Sequence, residues 1–248
     1  MSDTFNNYLH WAWKRKAELT NIIIQRTNFT VHQGPFKGTR ILPKAAWADG
    51  DVVGKLLGLY ECELFDAVEE VIAAKPDLVI NVGAADGFYG IGLGRRIGPE
   101  CQIVLIDVVK ESVDISRENA RLNGINKIQF STESSTESLG RYLEKYSRPF
   151  IFMDCEGFEE DLLVLDKIPE LSKTSMIVES HDVWRPGLTE KLTERFKDTH
   201  MIKVISQGAK NPYMDITHDL CDYDKILLCC EGRPMTSTWL YMVPKNEL

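Results

Sequence analysis

Acidic and imidazole side chains gather just after two short apolar runs. Asp154, Glu156 and Glu159 follow Pro149-Phe-Ile-Phe-Met153, and Glu179, His181 and Asp182 follow Ser175-Met-Ile-Val178. Such runs read as buried parallel strands. In a parallel sheet, neighbouring strand ends lie side by side at a crevice. Asp154, Glu156, Glu179, His181 and Asp182 should therefore converge. Like charges repel, so grouped acids favour a site over a solvated rim. A carboxylate or imidazole there can take a proton from a reacting hydroxyl. His181 has the pKa suited to neutral pH. Asp154 and His181 are the two candidates for general base, and Glu156 completes the catalytic set. A histidine at a strand end also often serves as a structural hydrogen-bonder.

A second constellation lies earlier, in Leu78–Arg96, LVINVGAADGFYGIGLGRR. The apolar run Leu78-Val-Ile80 reads as a strand, and a helix should run from Phe88 to Arg96. Between them Gly83 and Gly87 flank Asp86. A strand, a tight glycine turn and a helix N-terminus let backbone approach a ligand closely. Nicotinamide and flavin cofactors require G-x-G-x-x-G. From Gly83 that spacing fails, because Ala85 and Phe88 stand where glycines are needed. Asp107 ends the next apolar run, Ile103-Val-Leu-Ile106. A carboxylate at that strand tip can accept both hydroxyls of a ribose. An acid there can also serve as a helix N-cap.

The turn Asn81-Val-Gly83-Ala-Ala-Asp86-Gly87 resembles the first motif of class I S-adenosylmethionine methyltransferases. The resemblance implies a Rossmann-like α/β sheet, mostly parallel with an antiparallel closing strand. It also implies S-adenosyl-L-methionine as cofactor, its amino-acid end held at Asn81, Gly83, Asp86 and Gly87 and its ribose at Asp107. Tyr60 and Glu61, at the start of a helix before the first strand, would border the cofactor; Glu61 can equally be an acid favouring the helix dipole. Glu133, in the polar loop after the third strand, would pass the adenine, unless that loop is simply solvated. Some relatives of this class hold Mg2+ with acids from the fourth and fifth strand ends. Here Asp154, which would also border the cofactor, and Glu179, with His181 or Asp182, would be the ligands.

A narrower resemblance rests on Asp154-Cys-Glu156-Gly-Phe-Glu159, a D-x-E-G-x-E sequence similar to that of FkbM-type methyltransferases. Gly34-Pro-Phe-Lys-Gly38, Leu57-Gly-Leu-Tyr60-Glu61, Glu179-Ser-His181 and Glu231-Gly-Arg233-Pro234 resemble family stretches in the same order. Ala85 stands where the commonest family form carries Asn. The resemblance implies O-methylation of a hydroxyl on a sugar, glycan or small natural product. The alternative is a catalytically silent cofactor-binding regulator or scaffold. Asn211-Pro-Tyr213 is similar to an amino-group methyltransferase motif but lies far from the fourth strand, where that motif acts.

The positioning elements follow from periodicity. Residues 1–20 read as a helix bearing Trp11 and Trp13, which dock it or cover the site. Asn21 to Leu42 reads as short strands around Ile22-Ile23-Ile24, Phe29 to Val31 and Thr39 to Leu42. A helix is expected over Glu61 to Ala74, since Leu64, Phe65, Val68, Val71 and Ile72 form one stripe. Further helices are expected over Val109–Leu122, Leu139–Tyr146 and around Leu188, Leu192 and Phe196. Lys127–Phe130 and Met201–Ile205 read as strands. Residues 225–231 lean towards helix, with Asp224 as N-cap and Gly232 as stop. Trp239–Val243 reads as a closing edge strand. This divides the chain into a small helix and short-strand extension, 1–60, and a methyltransferase domain, 61–248.

Composition bounds the partners. The 248 residues are 44% hydrophobic and 27% charged, ordinary for a globular protein. A net charge of −8 argues against indiscriminate binding to nucleic acid or anionic membrane. No apolar run approaches the roughly 20 residues of a membrane span. The polar N-terminus lacks a leader pattern, so the C-terminal Lys245-Asn-Glu-Leu248 is taken as coincidence rather than a retention signal. Six scattered cysteines without C-x-x-C spacing read as reduced thiols in a cytoplasmic protein. A small-molecule or glycan acceptor is the expected partner, and a homo-oligomer is compatible with the sequence.

Overall fold

The computed structural model describes residues 3–43, 51–233 and 235–245. Residues 1 and 2, Pro234 of the Glu231–Pro234 stretch, and the last three residues of the Lys245–Leu248 tail lie outside the described residues. Seven strands form one sheet: β1 (Leu78–Val82), β2 (Gln102–Ile106), β3 (Ile128–Ser131), β4 (Pro149–Met153), β5 (Ser175–Ser180), β6 (His200–Ser206) and β7 (Thr238–Pro244). Their order is β3-β2-β1-β4-β5-β7-β6. The first five are parallel, and β7 runs antiparallel to both β5 and β6. This is the Rossmann-like methyltransferase sheet that the resemblance implies.

Side-chain alternation splits the strands between two cores. Val79, Ile103, Leu105, Phe150, Phe152 and Ile177 face one layer. Leu78, Ile80, Val104, Ile151, Met153 and Val178 face the other. The first layer takes α3 (Phe65–Ala74) and α4 (Phe88–Ile97); the second takes α6 (Thr136–Leu143) and α8 (Leu188–Phe196). Leu188, Leu192 and Phe196 are fully buried, as their i, i+4, i+8 spacing requires. Helix α4 lies close on the sheet because it carries glycines. A Cβ on Gly90 would fall 2.3 Å from the Leu105 side chain, and one on Gly92 would meet Phe36 at 2.5 Å.

Several elements differ from the sequence reading. The run Ile22–Ile24 belongs to α1 (Asp3–Thr27), not to a strand. Leu19 and Ile23 are buried together on its inner face, and tertiary packing overrides β-branched propensity. Between residues 29 and 42 no strand forms among the described residues; an isolated antiparallel bridge pairs Thr30 with Arg40. The helix expected from Glu61 is broken: α2 (Asp51–Leu57) precedes it, Glu61 sits at φ 47°, and a 3-10 turn, Cys62–Leu64, leads into α3. Helix α5 (Lys110–Leu122) matches its reading, while α6 begins at Thr136, where Ser135 caps it reciprocally with Ser138. A short helix, α7 (Glu159–Leu162), follows the β4 turn. Helix α9 (Asp222–Cys229) starts earlier than expected, with Cys221 rather than Asp224 at its N-cap position. Asp224 instead binds Arg15 of α1 at 2.7 Å. Strand β7 is not the edge: it lies between β5 and β6, and β6 is outermost. Its residues 239–242 are almost wholly buried, as an inner strand requires.

Among the described residues no helix is long and apolar enough to cross a membrane.

Candidate active site

Two cavities open where the parallel strands end. The larger, about 660 Å³, is lined by Tyr60, Gly83, Asp86, Asp107, Ser135 and Asp154 among others. The smaller, about 320 Å³, is lined by Asp154, Glu156, Glu179, His181, Trp184 and Arg233 among others. Tyr60, Asp154 and Glu156 belong to both walls.

Backbone contact fixes the junction. Gly83 has φ 70°, and a Cβ there would lie 1.6 Å from the Asp154 carbonyl oxygen. The turn after β1 therefore rests directly on the turn after β4, and only glycine permits it. Gly83 and Ala84 both donate their N–H to the Ile106 carbonyl, and Asp154 donates its N–H to Val82. Asp107 closes this turn: its Oδ2 accepts the Ala85 N–H at 2.8 Å and its Oδ1 the Val109 N–H at 2.9 Å.

The sequence-derived cofactor residues divide into two sets. Tyr60, Gly83, Asp86, Asp107 and Asp154 line the larger cavity. Asn81, Gly87, Glu61 and Glu133 do not. Asn81 is buried and its Oδ1 accepts the Gly90 N–H at 3.2 Å, which ties α4 to β1. Gly87 caps α4, and its Cα faces Ile91, Leu105 and Ser116. Glu133 is exposed and pairs with Arg141 at 3.0 Å. Ser134, Ser135, Thr136 and Glu137 line the cavity instead.

Glu61 belongs to an ion cluster behind the smaller cavity. Arg233 binds Glu61 through Nη2, Glu179 through Nη1 at 2.6 Å and Glu231 through Nε at 2.9 Å. Lys210 adds a contact to Glu231 at 2.6 Å, and the Tyr89 hydroxyl donates to Glu61 at 2.5 Å. Burial, then the charge of Glu179, pushes the Glu61 carboxyl up to about 7; Arg233 and Tyr89 offset only part of this. Asp154 stands well above the ordinary carboxylate range. Its burial dominates, followed by the charges of Glu179, Glu61 and Glu156. Its Oδ1 is buried without a hydrogen-bond partner among the described residues.

His181 has a defined orientation. Its Nδ1 lies 2.8 Å from Glu159 Oε1, and Glu159 is fully buried. The same Glu159 oxygen accepts the Cys155 and Gly157 N–H groups at 3.1 and 3.3 Å. His181 Nε2 faces the junction, 3.4 Å from Asp154 Oδ1 and 3.5 Å from Glu156 Oε2. Burial would lower the imidazole pKa, but the hydrogen bond and charge of Glu159 more than offset it, so the pKa is raised. Glu159 is correspondingly held low: burial opposes this, and the bond to His181 prevails. Glu156 leans outward, accepting the Trp184 indole N–H at 3.2 Å. Asp182 is spent on the start of α8, where it accepts from Ser180 and Thr189.

The expected magnesium set, Asp154, Glu179 and His181, does not meet at one point. Asp154 groups separately with Glu156 and His181, and with Glu61 and Glu179. In the second group Arg233 already supplies the cation. The first offers two carboxylates, one of them exposed, and an imidazole fixed at Nδ1. Magnesium takes near-octahedral oxygen coordination, so the residues present do not form the expected site.

Sequence reasoning missed three participants. Glu159 was visible as the last acid of D-x-E-G-x-E, but its pairing with His181 needs the fold. Arg233 stood in the Glu231–Pro234 stretch without a sign that it would meet three acids. Lys55 sits in α2, lines the larger cavity and is buried beside Asp86 at 2.9 Å; nothing in the sequence pointed to it.

A family model described as a methyltransferase domain matches residues 75–234. No curated protein matches the sequence at a significant level. Among solved structures the chain is similar to an S-adenosylmethionine-dependent methyltransferase from Agrobacterium tumefaciens, with TM-score 0.51 and 12% identity, covering 74% of this chain and 62% of that one. It is also similar to an O-methyltransferase from Bacillus cereus in complex with SAH, with TM-score 0.48 and 12% identity, over 94% and 91% of the two chains. A precorrin-6y C5,15-methyltransferase from Geobacter metallireducens gives TM-score 0.47 and 16% identity over 76% and 89%.

Proposed function

The chain belongs to the methyltransferase-domain family, and from this we propose that it transfers a methyl group from S-adenosyl-L-methionine to a hydroxyl on a sugar, glycan or small natural product. The observation that carries the reading is the junction. A cavity of about 660 Å³ and one of about 320 Å³ share Tyr60, Asp154 and Glu156, and His181 faces the shared wall. A nucleoside cofactor fits the first and an acceptor fits the second.

In this reading Asp107 accepts from the ribose hydroxyls, and Ser134 and Ser135 take the adenine side assigned by sequence to Glu133. Gly83 and Asp86 border the amino-acid end. Glu61 acts from behind by holding Arg233. When bound, the cofactor supplies an electrophilic methyl on a sulfonium. His181 Nε2 would take the proton of the hydroxyl that accepts the methyl. Glu159 keeps the Nδ1 proton in place, so Nε2 is the basic nitrogen. Asp154, its carboxyl pKa raised by burial and by the neighbouring acids Glu179, Glu61 and Glu156, stands beside His181 at the shared wall. The hydroxyl-rich rim of Ser180, Thr236, Ser237 and Thr238, with exposed Trp184, suits a polyhydroxylated ring. This rim and the FkbM-type D-x-E-G-x-E turn support the carbohydrate assignment. All six cysteines are free thiols, which supports a reducing, cytoplasmic setting.

The test is calorimetric binding of S-adenosylhomocysteine followed by transfer of labelled methyl to carbohydrate mixtures. Transfer to a hydroxyl is expected. Binding without transfer to any acceptor would favour the silent module instead.

A further inference from the structure

The larger cavity is lined by a buried ion pair, Lys55 with Asp86. Lys55 Nζ lies 2.9 Å from Asp86 Oδ2, and both residues are at least nine-tenths buried. The Lys55 ammonium also lies 5.1 Å from the centre of the Tyr60 ring and 5.6 Å from that of Phe88. Both partners line the cavity beside Gly83 and Ala85. Asp86 Oδ1 is engaged separately, accepting the Phe88 N–H at 3.2 Å.

Burying two charges costs several kcal/mol per ion before their attraction is counted, and an apolar pair is often as stable. A pair kept at the floor of a ligand cavity therefore asks for a ligand of matching charge. An α-amino acid group carries an ammonium and a carboxylate on one carbon. Laid against Lys55 and Asp86, each of its charges meets an opposite one. A lone phosphate would answer only the ammonium of Lys55, and a neutral sugar would answer neither charge.

We propose that Lys55 and Asp86 together form a zwitterion-binding subsite, with Lys55 holding the carboxylate and Asp86 the ammonium of the amino-acid end of the cofactor. This rests on the cofactor assignment above and adds the group that reads the amino-acid end. Tyr60 and Phe88 exclude water around the ammonium of Lys55, which strengthens its bond to a carboxylate.

Two ligands separate this subsite from the rest of the site. S-adenosylhomocysteine carries the amino-acid group; 5′-methylthioadenosine has the same nucleoside and sulfur without it. Each is titrated calorimetrically into the full chain, into Lys55→Met and into Lys55→Met/Asp86→Leu, which leaves no orphaned carboxylate. Both variants should bind S-adenosylhomocysteine about 10-fold or more weakly than the unaltered chain. Both should bind 5′-methylthioadenosine within about twofold of it. Equal losses for the two ligands would assign the pair to folding and overturn the proposal, as would unchanged S-adenosylhomocysteine affinity. If the unaltered chain bound S-adenosylhomocysteine no more tightly than 5′-methylthioadenosine, the subsite alone would fail. If it bound neither, the cofactor assignment would fall and the subsite with it.

Discussion

Glu159 Oε1 lies 2.8 Å from His181 Nδ1, and the same oxygen accepts two backbone N–H groups of the turn that carries Asp154. One buried carboxylate thus sets both the imidazole orientation and the shape of the β4 turn. Replacing Glu159 with Gln removes the charge that raises the His181 pKa but keeps a side chain of the same shape. The acid limb of the pH–rate profile should move to lower pH, and kcat should fall on the order of 10²-fold. KM for the cofactor should change little. A loss of kcat with an unmoved acid limb would show that Glu159 serves only the turn. His181→Ala should cost about 10²- to 10⁴-fold in kcat.

Gly83 is the tightest backbone approach in the site. An alanine there meets the Asp154 carbonyl at 1.6 Å and sits at φ 70°. The two turns must separate, so Gly83→Ala should lower stability by about 3 kcal/mol or more and abolish cofactor binding. Thermal melting with and without S-adenosylhomocysteine checks both. A variant that melts and binds like the parent would remove the contact between the β1 and β4 turns as the organising feature.

The parallel strands, Gly83, Asp107 and the acids after β4 were legible because each is a local pattern: an apolar run, a glycine turn or a strand-end carboxylate. What sequence could not supply was the direction of each side chain. Asn81 looks like a ligand residue beside Gly83, yet its buried amide bonds to Gly90, because a polar group enclosed between β1 and α4 must find a partner. Glu61 was readable as a helix-start acid, but its left-handed backbone turns it into the Arg233 cluster. Ile22–Ile24 has strand-like composition and is helical because α1 packs on α2 and α9. Arg233 meets its acids across 54 and 172 residues of chain, a separation that no spacing rule spans.

Asp107 holds two backbone N–H groups and also presents an edge to the larger cavity. Asp107→Ala should weaken S-adenosylhomocysteine and 5′-methylthioadenosine alike, by about 10- to 100-fold, since both carry the ribose. Asp107→Asn should lose less, because one acceptor oxygen remains. An Asp107→Ala variant with unaltered affinity for both would move the ribose elsewhere.

The Arg233 cluster gives the fold a pH dependence in which Glu61 takes part. The Glu61 carboxyl is raised from 4.5 to about 7, so the folded chain binds that proton more tightly than the unfolded chain. Its stabilising contribution is full below the unfolded pKa and is lost as pH rises through about 7. Glu61→Gln has no proton to lose. Between pH 4.5 and pH 7 the parent should therefore lose stability relative to this variant, by at most on the order of 3 kcal/mol. Asp154 is raised too, so both proteins keep a slope of the same sign. The difference between the two denaturation curves reports Glu61 together with its coupling to Asp154. Parallel curves across the window would mean that Arg233 keeps Glu61 ionised throughout.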